Sequence, residues 1–443
     1  MTAKKDIFSG SIRVHPAKGL RGEVSVPGDK SISHRSVMLG SIAGGVTEVT
    51  GFLEGEDNLS TIAAFRSMGV KIDGPDNGRV VIHGRGMDGL TEPEDVIDAG
   101  NSGTTTRLLT GLLSAQPFFS VITGDSSLRK RPMKRVVEPL AKMGARISGR
   151  SGGNLLPLAI TGSKLKGISY RTPVASAQLK SALLLAGIQA EGETIIEEPE
   201  RSRDHTERML ALFGATVKTE GNSVIVGSTK KLNGCKIKIP GDISSAAFFM
   251  VGALITPGSE LLIRDVGVNP TRTGIIRILK KMGASIEVLN KSGQRDSSGE
   301  PVADILVKSS LLKGVEVSGE ELVPAIDEFP IICVAAAFAH GRTRITGARE
   351  LRVKESDRIA VMSRSLSSIG VNNREEEEGI EIEGLGKGEA IGGEVESHGD
   401  HRIAMAMAMA GLRCVKGVGI TGASSVDVSF PGFFEILSRV AVR

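Results

Sequence analysis

Apolar positions along the chain form two kinds of run, and their alternation repeats six times. The first kind is crowded with small and apolar residues and opens behind a polar turn: Ser31–Ala43, Ser102–Ala115, Ala175–Ala190, Asp242–Ile255, Asp327–Ala339 and Asp400–Leu412. These runs are apolar nearly all round, which predicts buried helices and not amphipathic surface ones. After each comes a Gly-containing turn and a short strand pattern: Thr47–Val49, Phe119–Ile122, Thr194–Ile196, Glu260–Ile263, Thr343–Ile345 and Val418–Ile420. Equivalent starts (Ser31, Ser102, Ser176, Ser244, Asp327, Asp400) lie 68 to 83 residues apart. A recurrence of this kind marks a repeated supersecondary unit.

A second helix follows in each unit and ends in Gly before another strand, at Met68-Gly69, Met143-Gly144, Phe213-Gly214, Met282-Gly283 and Ile369-Gly370. Gly just past a helix suits the left-handed C-cap position. The sixth unit lacks this stop, because the sequence ends inside its second helix, Phe433–Val440. The pattern predicts an α/β protein, and six such units exceed one ordinary core. Val26-Pro27-Gly28-Asp29 and Ile239-Pro240-Gly241-Asp242 stand at the same phase of the repeat and mark two crossings between domains. The expected domains are 27–240 and a discontinuous 1–26 plus 241–443, three units each, with ligands in the cleft between them.

Charge changes this picture little. The 55 basic residues oppose 51 acidic ones, and with no Trp and one Tyr there is little for bases to stack on. Nucleic-acid binding is not expected. Cys235, Cys333 and Cys414 are scattered and read as reduced intracellular residues, and seven His without an HExxH pair argue against a metal centre. Met1–Asp6 runs into mixed polar sequence without an apolar leader, and Ile403–Leu412 is too short to span a bilayer. A soluble cytoplasmic protein is expected.

The candidate chemistry gathers at the starts of the repeated helices. Pro27–Arg35 places Gly28, Lys30, Ser31, Ser33, His34 and Arg35 ahead of the first. Asn101–Arg107 opens the second, Ser176-Ala177-Gln178-Leu179-Lys180 the third, Asp327 the fifth and Asp400-His401-Arg402 the sixth. Backbone N–H groups at helix starts attract anions, and Lys and Arg add charge-assisted donors. Further cations stand at Arg129–Arg131, Arg201–Arg203 and Arg352–Arg358. Each stretch alone also fits a capped or solvated helix: Asp327 and Asp400 as N-caps, Lys354 and Arg358 as an i,i+4 pair. Their shared placement points instead to two small substrates that each carry several negative charges.

These motifs, PGDKSISHR, NSGTTTR, RPM, SAQ, RDHTE, DEFP, VKESDR and DHRIAM, resemble the 5-enolpyruvylshikimate-3-phosphate (EPSP) synthase family, in order from Pro27 to Pro431. The resemblance implies a two-domain inverse α/β barrel fold of six βαβαββ repeats. It also implies transfer of an enolpyruvyl group from phosphoenolpyruvate to the 5-hydroxyl of shikimate 3-phosphate by a monomer, with no cofactor or metal. Lys30, Ser31, Arg35, Ser176, Ala177, Gln178, Arg203, Asp327 and Lys354 would hold shikimate 3-phosphate; Lys30, Gly103, Arg131, Gln178, Arg358 and Arg402 would hold phosphoenolpyruvate. Asp327 would take the hydroxyl proton, and Glu355 with Lys30 would protonate the methylene carbon. Arg203-x-His205-x-Glu207, Ser176-Ala177-Gln178-x-Lys180 and Asn269-x-Thr271-Arg272 resemble markers of the glyphosate-tolerant second class. Gly103, where a tolerant member carries Ala, departs from it, and Asp427–Pro431 lacks the Lys that first-class members place there. The other readings are a UDP-N-acetylglucosamine enolpyruvyl transferase, which presents a Cys that Ser126–Arg131 lacks, an RNA 3′-phosphate cyclase, and a non-catalytic anion binder.

Overall fold

The computed structural model describes residues 11–295 and 299–443; the N-terminal stretch Met1–Asp6 lies outside the described residues. The chain falls into two compact units: a nearly contiguous one, Gly28–Pro240 with only Arg295–Glu300 added (called the contiguous unit below), and a discontinuous one, Met1–Pro27 with Gly241–Gln294 and Pro301–Arg443. Each has its own hydrophobic core.

All six apolar runs form helices: Lys30–Ile42, Gly103–Leu113, Ala177–Gly187, Ile243–Ile255, Phe329–Ala337 and His401–Gly411. They are buried nearly all round, as their composition requires, and are called here the first to sixth inner helices. Five begin on a side-chain cap: Asp29, Ser102, Ser176, Asp242 and Asp400 accept N–H bonds from Ile32, Thr105, Leu179, Ser244 and Arg402. The fifth differs from expectation. A 3-10 turn, Val323–Glu328, runs straight into the helix, so Asp327 lies in that turn and the helix starts at Phe329. Helices two and three approach closely where Gly111 faces the backbone of Ala182; a Cβ there would lie 2.1 Å from the Ala182 carbonyl oxygen.

The outer helices stop as their glycines predict. Gly69, Gly144, Gly214, Gly283 and Gly370 all have left-handed φ between 81° and 99°, a conformation that carries no Cβ penalty in Gly. The sixth unit goes one step further than expected: after Phe433–Val440 a short strand, Ala441–Val442, pairs antiparallel with Gly19 and Leu20.

Each repeat supplies one small sheet of three to five strands. The strand after the inner helix takes a parallel neighbour on one side and, on the other, an antiparallel one, as in Ile97–Asp98, Phe119–Thr123 and Leu155–Thr161. The order is permuted round each unit. Gly44–Thr50 of the first repeat takes its parallel partner from the far end of that unit, Lys236–Lys238. Val418–Thr421 of the sixth pairs with Ile12–Val14. The described strands thus form six separate sheets around two sets of inner helices, without one hydrogen-bonded barrel in either unit.

Candidate active site

In the contiguous unit, the starts of the three inner helices carry most of the predicted residues. Lys30 is the first residue of its helix, and its Nζ lies 2.5 Å from Asp57 Oδ2 on the neighbouring helix Glu56–Ser67. Arg35, one turn on, is buried. Its Nη1 donates to the Ser31 carbonyl at 2.8 Å, Nε to Thr206 Oγ1 at 2.6 Å and Nη2 to Ser181 Oγ at 2.8 Å. Burial draws its pKa down to about 10, against Glu207 and Asp29, which favour the charge. A guanidinium so enclosed has its direction fixed before any ligand arrives, which favours a specific anion contact.

Gly103 follows the Ser102 cap of the second inner helix, and a Cβ there would meet the guanidiniums of Arg107 at 2.8 Å and Arg131 at 3.2 Å. Arg131 follows the 3-10 turn Leu128–Lys130. Ser176 caps the third inner helix, and Ala177 and Gln178 are its first two residues. The Gln178 amide is held at both ends: its oxygen accepts from Arg107 Nη1 at 2.7 Å, and its nitrogen donates to Thr104 Oγ1 at 3.1 Å. Arg203 is half-buried in the connection just before helix His205–Leu212. Gly103 therefore stands beside both Arg131 and Arg107, which holds Gln178, while Arg35 joins Ser31 to helix 205–212 through Thr206.

The discontinuous unit gathers the rest around one cation. Arg358, the first residue of helix Arg358–Ser368, is 1% exposed and meets three carboxylates. Its Nε donates to Asp400 Oδ2 at 2.8 Å, Nη2 to Glu355 Oε2 at 2.7 Å, and Nη1 to Asp327 Oδ1 at 3.4 Å. Burial alone would lower the Arg358 pKa; Asp400, Glu355 and Asp327 outweigh it and raise it. Lys354 Nζ lies 3.9 Å from Asp327 Oδ1 and 3.2 Å from Glu350. Arg402 Nη1 donates to the Asp327 carbonyl at 3.1 Å and lies 3.6 Å from Glu328 Oε1. Asp327, Glu355, Lys354, Arg358 and Arg402 are thus brought together, two carboxylates and three cations within one cluster.

Residues 14–437 match the family model of EPSP synthase (3-phosphoshikimate 1-carboxyvinyltransferase). The chain belongs to that family. It is 61% identical over 434 residues to the 3-phosphoshikimate 1-carboxyvinyltransferase of Geobacter metallireducens, covering 98% of this chain and all of that one. It is 57% identical over 433 residues to the enzyme of that name from Desulforudis audaxviator, again covering 98% of this chain and all of that one. The solved EPSP synthase of Acinetobacter baumannii superposes with a TM-score of 0.86 at 54% identity over 98% of both chains. EPSP synthase membership carries the two-domain α/β fold with it, and the match spans every predicted site residue.

Sequence reasoning gave no positioning role to four residues that hold the others in place. Asp57 pairs with Lys30, and Arg107 joins Gln178 to the Gly103 turn. Glu198 accepts from the backbone N–H of Ser176, and Asp400 anchors Arg358 as well as capping its own helix. Arg107 and Asp400 stand inside the recognised motifs, so their charge was a signal; Asp57 and Glu198 follow no pattern along the chain. Among the described residues no group of His, Cys, Asp and Glu could hold a metal ion, and no helix is long and apolar enough to cross a membrane. All three cysteines are free, and burial raises each thiol pKa, that of Cys235 to about 11.

Proposed function

We propose that this EPSP synthase relative transfers the enolpyruvyl group of phosphoenolpyruvate to the 5-hydroxyl of shikimate 3-phosphate, releasing phosphate. The observation that carries the reading is the pair of carboxylates, Asp327 and Glu355, on one buried guanidinium, Arg358. Two proton transfers are needed, and two positioned carboxylates can divide them. Asp327 accepts the proton of the 5-hydroxyl as its oxygen bonds to C2 of phosphoenolpyruvate. Glu355, with Lys30, delivers a proton to C3. In the second half C3 returns a proton to Glu355, and the C2–O bond to phosphate breaks.

Lys30, Ser31, Arg35, Ser176, Ala177, Gln178, Arg203 and Lys354 hold shikimate 3-phosphate in this reading; Lys30, Gly103, Arg131, Gln178, Arg358 and Arg402 hold phosphoenolpyruvate. Supporting this, the guanidiniums of Arg35 and Arg358 are fixed by the fold, so that charge stabilisation costs little reorganisation. We expect a monomer in the cytoplasm. The test is phosphate release from phosphoenolpyruvate with shikimate 3-phosphate as acceptor, beside UDP-N-acetylglucosamine. Release with the first alone is expected; release with the second alone overturns the reading.

A further inference from the structure

Lys180 and Glu207 belong to motifs that the reaction leaves without a task. Both are buried and paired with each other, and Lys180 also meets a third residue that no motif contains. Lys180, 2% exposed, directs its ammonium at Glu198 Oε2 and Glu207 Oε1, each at 2.7 Å, and at the Ser202 carbonyl at 3.3 Å. Burial would strip the proton from this lysine, but Glu207 and Glu198 more than offset that and raise its pKa.

Glu198, also 2% exposed, is used at both oxygens. Its Oε1 accepts from the Ser176 N–H at 3.3 Å and the Ser202 hydroxyl at 2.5 Å. Its Oε2 accepts from the Ser202 N–H at 3.2 Å in addition to Lys180. One carboxylate therefore ties the cap of the third inner helix to the 201–204 connection that carries Arg203. The same two helices are joined once more, residue for residue: Ser181 and Thr206 share a hydrogen bond of 2.7 Å and together receive Arg35. A buried anion under an anion-binding surface would ordinarily oppose the ligand. Lys180 supplies the internal counter-charge that lets the carboxylate act as a brace.

We propose that Glu198 is a positioning residue for shikimate 3-phosphate: through Ser176 and Ser202 it holds the third-helix start and the Arg203 connection at the spacing that ligand requires. The inference rests on the proposed substrate reading. A carboxamide cannot replace the carboxylate, because its NH2 would face two of the four donors now satisfied. Asp keeps the charge but is one methylene too short to reach both segments.

The test measures binding and steady-state kinetics of the full chain with Glu198→Gln and Glu198→Asp. Both should raise KM and Kd for shikimate 3-phosphate, Glu198→Gln by about 10- to 100-fold and Glu198→Asp by less. The KM for phosphoenolpyruvate and kcat at saturation should stay within about threefold. A lower melting temperature with unchanged Kd in either folded variant overturns the proposal, as does an equal rise in both KM values. If Glu198→Gln fails to fold, Glu198→Asp decides alone. Failure of the unmodified protein to bind shikimate 3-phosphate would instead defeat the substrate reading.

Discussion

Adding one methyl group at Gly103 tests how the phosphoenolpyruvate residues are built. The family resemblance suggests open room beside this glycine, but the structure fills it with guanidiniums. An alanine Cβ would lie 2.8 Å from Arg107 Nη1 and 3.2 Å from Arg131 Nη1, where ordinary contact begins at 3.4 Å. Arg107 must withdraw by about 0.6 Å, and it is 1% exposed and bonded to Gln178 at 2.7 Å. The displacement therefore passes to Gln178 and Arg131, both assigned to phosphoenolpyruvate. Gly103 has an ordinary helical φ, so alanine brings no backbone strain. Overpacking of this size costs about 1–2 kcal/mol, and a binding effect of that size is a rise of about 5- to 30-fold in the KM for phosphoenolpyruvate. The KM for shikimate 3-phosphate should move less, since only Gln178 is shared. Glyphosate, longer than the substrate but alike in charge, should lose more affinity than phosphoenolpyruvate. Steady-state competition assays on both proteins decide it. A phosphoenolpyruvate KM within twofold of the parent, or equal shifts for both substrates, would refute the reasoning.

Three further outcomes are expected. Asp327→Asn keeps the size and removes the base, so turnover should fall by about 10²- to 10⁴-fold while calorimetry finds shikimate 3-phosphate affinity little changed; near-normal turnover would remove Asp327 from its role. His34 is held neutral, its pKa well below 6.5 through burial and then the charges of Lys30 and Arg35. The unfolded chain takes up a proton below about pH 6.5 that the native state refuses, so stability falls with acid by about 1.4 kcal/mol per pH unit. His34→Gln should lose that slope between pH 6.5 and 5 in urea unfolding; equal slopes would contradict it. Asp400→Asn leaves Arg358 without the one fully buried carboxylate of its three, and the melting temperature should drop by an amount equivalent to about 3 kcal/mol. Burial works against the Asp400 charge, but Arg358 holds its pKa below 3.8, so the parent keeps this stability above that pH and loses it further into acid.

The features legible in the chain were those set by local rules. All-round apolar runs gave buried helices, polar residues before them gave caps, and five glycines gave five left-handed stops. The start of the fifth helix escaped because a 3-10 turn runs straight into it, with no side-chain cap at Glu328 to announce it. Arg358 reads along the sequence as one half of a solvated i,i+4 pair with Lys354. In the fold Lys354 pairs at that spacing with Glu350, while Arg358 is buried among carboxylates, two of them 31 and 42 residues away. Such convergence depends on how whole repeats stack, and no window along the chain contains it. Glu198 was invisible for the same reason, since its partners lie on two other segments.

The permuted strand order has a consequence for how the chain acquires its structure. The contiguous unit needs nothing beyond residue 240 for its own sheets, since Lys236–Lys238 completes the first of them. The discontinuous unit cannot finish until the last strands exist: Ile12–Val14 waits for Val418–Thr421, and Arg13 bonds to the Lys416 carbonyl 403 residues away. During synthesis the first unit can therefore mature while its predecessor strands remain unpaired edges, exposed to other chains. Closing so long a loop is slow, although each doubling of loop length adds only about 0.6 kcal/mol. The vulnerable species is thus a nearly complete chain with one finished half, and truncation near the C-terminus should leave that half folded while Ile12–Val14 finds no partner.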